Sequence, residues 1–175
     1  MFIYNKKKFF NKIYFEVFKK SMLSLNDMNV TLTHYGAKPY IENNKERFVL
    51  STYLFNLFFI EGALQSKYYP EYKTEISMII DSMLSEISNR LSIDGGQALN
   101  AYMTVRNALS NESLDSDAAR KIHPFYTSAV MYLFFTFKEE YKPEDLGYDI
   151  GAAEESVAKI FQSLINSVLI YLNAL

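Results

Sequence analysis

An all-α fold is what this sequence predicts, and three observations predict it. Apolar residues recur at spacings of three and four along nearly the whole chain, the pattern of helices with a buried face. Glycine and proline supply 10 of 175 residues, about half the usual share, so turns are few and helices long. The one stretch that alternates like a strand, residues 30–35, is six residues long and has no partner with which to build a sheet. At 20.3 kDa the chain is sized for one domain, residues 1–175, of about six helices in a bundle or orthogonal array with little or no sheet.

Each element has its own warrant. Phe9, Phe10, Ile13, Val17 and Phe18 fall on one side of a helix predicted over residues 4–25, with lysines mostly opposite; a polar break at 26–29 and an extended loop at 30–35 follow. Asn43 and Glu46 form a capping-box pattern that opens a second helix over residues 44–68, apolar nearly all round and hence central. Pro70 is expected in the first turn of a third helix, where its missing N–H costs nothing. That helix carries the stripe Ile76, Ile79, Ile80, Met83, Leu84, Ile87 and Leu91, with Asp81, Ser85 and Asn89 on its wet face. Asp94-Gly95-Gly96-Gln97 joins a turn to a second capping box and launches a helix to about residue 109. A short helix from Ser116 stops near Ile122, because the residue before Pro124 disfavours helical geometry. An apolar helix over residues 124–141, a loop over 142–151 and a last helix over 152–173 complete the chain. The expected core combines Ile76, Ile80, Met83, Leu84 and Ile87 with Phe55, Phe59, Leu133, Phe134, Phe161 and Leu164.

Composition excludes several classes of function. With no cysteine there is no disulfide framework, cysteine nucleophile or thiolate zinc site. A net charge of −2 lacks the basic balance of a nucleic-acid binder. Uncharged runs at residues 48–60, 122–137 and 160–175 each fall short of the about 20 apolar residues of a spanning helix, and read as core helices. Lys6, Lys7 and Lys8 are followed by Asn11, Lys12 and Glu16 rather than an apolar h-region, so a cytoplasmic chain is expected. No glycine loop for phosphate, no nucleophile elbow and no zinc or di-iron motif occurs, and the expectation is no enzyme, no cofactor and no metal.

Three places carry candidate chemistry. His123 precedes Pro124 at a helix break, where it either contacts a ligand or moves a proton or, the favoured reading, is a cap or satisfied imidazole, while His34 is expected in a polar loop beside Tyr35 and Gly36. Glu61 shares a helix face with Leu50, Leu54 and Leu57, so it either snorkels or is buried against a tyrosine or arginine. Residues 139–155 hold seven acids against Lys142, interleaved with Tyr141 and Tyr148; helix-dipole complementarity accounts for Glu154 and Glu155 but not for the other five. Glu140, Glu144, Asp145, Tyr148 and Asp149 are therefore the expected contacts for a protein partner with a basic surface.

The function these features favour is non-enzymatic: a helical protein-binding protein, in the manner of an inhibitor, immunity protein or antitoxin. A helical small-molecule binder or enzyme with a pocket between the aromatic helices is the alternative. A third possibility is a peripheral membrane protein that uses its first helix. Residues 1–20 hold six lysines and one glutamate, and with Phe2, Phe9 and Phe10 they could lie on an anionic surface, although docking in the bundle and neutralising the acidic remainder accounts for them too.

Overall fold

The computed structural model describes residues 2–112, 125–137 and 150–175. Seven α-helices are found there: α1 (Phe2–His34), α2 (Lys38–Asn43), α3 (Lys45–Tyr68), α4 (Lys73–Leu91), α5 (Gly95–Glu112), α6 (Tyr126–Phe137) and α7 (Ile150–Asn173). No strand occurs among the described residues. One apolar core draws residues from all seven helices.

α3 is the axis. All six other described helices contact it, and eleven of its residues are buried, including Thr52 and Asn56. By length and composition α3 could cross a membrane, a longer apolar stretch than the run at 48–60 suggests, yet most of that stretch is buried inside the bundle. Thr52 and Asn56 bond to neighbouring helices, whereas the buried Tyr53 hydroxyl finds no hydrogen-bond partner among the described residues. Asn56 Nδ2 donates to the Ser21 carbonyl at 3.1 Å and Oδ1 accepts from Ser24 Oγ at 3.1 Å, while Thr52 Oγ1 lies 2.6 Å from the Tyr132 hydroxyl. Satisfied in this way, Thr52 and Asn56 fix the register of α1 and α6 on α3 without the cost of orphaned donors.

At the middle of the bundle the space between helices is filled by rings. Phe161 of α7 stacks on Phe55 at 6.0 Å, meets Phe59 at 4.9 Å and stands edge-on to Tyr132 at 5.6 Å.

The α4 stripe is buried from Ile76 to Ile87 as expected, and Asp81, Ser85 and Asn89 are exposed. The Asp94 cap also forms: Oδ1 accepts from Gly96 N at 2.9 Å and Gln97 N at 3.2 Å, satisfying two donors of the first turn of α5. Asp94→Ala is expected to cost about 1 kcal/mol in urea denaturation, and no change would mean that water replaces the cap without loss.

Several expectations need correction. α1 does not break at residues 26–29 or become extended at 30–35; it runs to His34, because Met28 and Leu32 are buried and continue the stripe of Val17, Ser21 and Ser24. Asn26, Asp27 and Asn29 merely occupy its exposed side. Asn43 is the last residue of α2, a helix the pattern did not indicate, and so forms no box with Glu46; Asn44 precedes α3 without a side-chain cap. Pro70 lies in the turn before α4, which starts at Lys73. Phe134 is 65% exposed rather than core, while Leu133 beside it is buried. α7 begins at Ile150, inside the expected loop. The short helix at 116–122 and the end of the helix expected to reach 141 lie outside the described residues.

Candidate functional site

The five expected partner contacts, Glu140, Glu144, Asp145, Tyr148 and Asp149, lie outside the described residues, as does His123. Their anchors are described. The segment leaves α6 after Phe137 and enters α7 at Ile150. Near its start, Arg47 of α3 donates through Nε and Nη2 to the Phe135 carbonyl at 3.1 and 2.8 Å, placing a cation at the C-terminal end of α6. Phe137 meets the Tyr40 ring of α2 at 6.2 Å, and Ser156 of α7 meets the Tyr35 hydroxyl at 3.0 Å. Both anchors therefore belong to the end of the bundle where α1 finishes and α3 starts.

Lys6, Lys7 and Lys8 of α1 belong to the opposite end. Lys6 pairs with Glu75 at the start of α4, and Phe9 and Phe10 pack on Tyr68 at the end of α3. With a rise of 1.5 Å per residue, the 33-residue α1 spans about 50 Å, so its lysine-rich start and the acidic segment's anchors are far apart. Among the described residues, neutralisation of the acidic remainder by these lysines is thus confined to the local pair Lys6–Glu75, while Lys20 pairs with Glu16 of α1 itself. The dipole account of Glu154 and Glu155 also weakens. They lie past the first turn of α7, where the dipole's influence has faded, and Glu155 pairs with Lys159 at 2.6 Å.

Glu61 takes the second of its two expected situations, half-buried against partners of both expected types. Tyr102, buried on α5, donates its hydroxyl hydrogen to Oε2. Gln65, one turn on along α3, donates to Oε1 at 2.9 Å, and Arg106, one turn beyond Tyr102, approaches the same oxygen at 3.3 Å. Two pairs at i,i+4 spacing on facing helices thus interlock. The pairing was readable as spacing, but which helix would face Glu61 was not. Burial, and then the bond to Glu61, pushes the Tyr102 phenol well above its ordinary value, so it stays a proton donor through the neutral range. With donors on both oxygens, the carboxylate serves as a clamp between α3 and α5.

Beside the clamp opens a polar cleft of about 810 Å³, lined by Glu61, Gln65, Tyr69, Lys73, Ser77 and Arg106. His34 is exposed, its ring edge-on to Tyr35 at 5.3 Å. Among the described residues, no group of three or more His, Cys, Asp or Glu side chains is arranged to hold a metal ion. No protein family, curated protein sequence or solved structure matches this chain.

Proposed function

We propose that this chain is a non-catalytic helical protein-binding domain that occupies a basic protein partner, in the manner of an inhibitor, immunity protein or antitoxin. The observation that carries the reading is the segregation of charge along the bundle. Lys138 and Lys142 are set against Glu139, Glu140, Glu144, Asp145 and Asp149 in the connection between α6 and α7, whose anchors lie at the far end of α1 from Lys6, Lys7 and Lys8. Concentrated like charge steers an oppositely charged partner, and tyrosines among the acids supply rigid contact area. The filled aromatic interior supports a surface function over a ligand chamber between those helices.

The test begins with capture of the partner by the full chain from its native host, identified by mass spectrometry. Neutralising Glu144, Asp145 and Asp149 together (to Gln, Asn and Asn) is expected to slow association about tenfold at low salt and flatten its salt dependence. Tyr148→Ala is expected to speed dissociation, at a cost of about 1–2 kcal/mol. Unchanged association rates at both low and high salt would remove the acidic segment from the interface.

A further inference from the structure

We propose that the outer face of the first half of α1, together with Met78 of α4, docks on an anionic lipid surface. The inference rests on a part of the molecule that the acidic segment does not involve. Lys8, Lys12, Phe15, Lys19 and Leu23 follow one another at helical spacings of three and four along α1, and every one of them is exposed. Phe15 is 68% exposed, a place it shares with Phe134 in a chain that buries Phe10, Phe48, Phe55, Phe59, Phe137 and Phe161, and of the two only Phe15 has lysines around it among the described residues. Across a groove of about 470 Å³ stands Met78, 59% exposed, with Phe10 and Tyr14 at the same groove and Lys7 beside it. Two protruding apolar side chains on adjacent helices therefore share a rim of lysines, in which the one acid of the groove lining, Glu75, is paired with Lys6.

Among the described residues, most of the lysines at this face have no carboxylate of their own. Lys6 is engaged by Glu75 and Lys20 by Glu16, but Lys7, Lys8, Lys12 and Lys19 have no carboxylate partner among the described residues. Lysine next to an anionic bilayer is attracted by the surface potential, while its apolar stem lies along the acyl boundary and its ammonium reaches the headgroups. Phenylalanine and methionine between such lysines enter that boundary. An acidic protein is the less fitting occupant: protein interfaces are depleted in lysine and favour arginine, and the cations of this stripe are all lysine.

The chain contains no tryptophan, so a single substitution gives an unambiguous reporter. Phe15→Trp, with Ile170→Trp on the exposed side of α7 as its counterpart, is mixed with vesicles of phosphatidylcholine alone or with phosphatidylglycerol. The expected result is a blue shift of the residue-15 reporter, and quenching by brominated acyl chains, only with the anionic vesicles; the residue-170 reporter stays unchanged. In flotation assays of the full chain, Phe15→Ser is expected to lower partitioning about tenfold. Replacing Lys8, Lys12 and Lys19 by Gln should lower it roughly a hundredfold, and added salt should reproduce that loss. All these positions are exposed, and unchanged circular dichroism and melting confirm that each variant is folded. Equal partitioning to neutral and anionic vesicles, a silent residue-15 reporter, or retention on soluble heparin without flotation would each overturn the proposal, the last by assigning the stripe to a soluble polyanion.

Discussion

Phe161→Ala is expected to lower the stability of the fold by about 3–5 kcal/mol, a large share of the roughly 5–15 kcal/mol that holds a domain together. The ring is fully buried at the point where α3, α6 and α7 meet, and it touches Phe55, Phe59 and Tyr132 at once. Removing it deletes the burial of one aromatic side chain and three ring contacts. The hole that remains is walled by other large rings, which can close it only by leaving their own contacts. Urea denaturation monitored by circular dichroism measures the change, read as a lower midpoint at constant slope. Phe134→Ala is the matched comparison, since its ring is exposed, and a change within about 0.5 kcal/mol is expected there. Similar losses for the two variants would mean that the aromatic centre is not packed as described.

Raising the pH above 10 is expected to unfold the protein steeply. Burial pushes the phenols of Tyr53, Tyr102 and Tyr132 well above the ordinary value of 10.0. The bond to Glu61 adds to the effect at Tyr102, while the bond to Thr52 opposes it at Tyr132. In the unfolded chain the same phenols lose their protons near pH 10. Above that pH the unfolded state binds fewer protons than the folded one, so stability is fully present below about pH 10 and falls as pH rises. Each phenol contributes a slope approaching about 1.4 kcal/mol per pH unit, and the three together about 4. Midpoints of urea denaturation measured from pH 9 to about pH 12 test this. Tyr132→Phe separates two effects: it costs about 1 kcal/mol at neutral pH through the lost Thr52 bond, yet flattens the alkaline slope by one phenol's share. A flat stability profile across this range would show that the three phenols are open to water.

The candidate sites were legible to different depths. Glu61 stood out because it interrupts an apolar helix face, and the partner types that burial demands, tyrosine or arginine, are those it has. That Tyr102 and Arg106 supply them depended on α5 packing against α3, a pairing remote in sequence. The acid-rich connection before α7 is a feature of composition alone. Its separation from the lysines of α1 appeared only when the ends of α1, α3, α6 and α7 were placed. The spacing already puts Lys8, Lys12, Phe15 and Lys19 on the side of α1 away from Ile13 and Val17, but only the packed bundle shows that no other helix covers Phe15.

Local chemistry by itself determined the helical class, the buried stripe of α4 and the Asp94 cap. Each of these depends on residues within one or two turns of one another, where spacing dictates which side chains and backbone donors meet. Tertiary structure alone decided the rest. It kept α1 helical through Asn26, Asp27 and Asn29, because burial of Met28 and Leu32 outweighs the weak helix propensity of those polar residues. It also chose which side of α6 faces inward. That helix is strongly apolar, so its own pattern marks an inward side only weakly, and the neighbouring rings of Phe55 and Phe161 select Tyr132 for the interior while Phe134 remains in water.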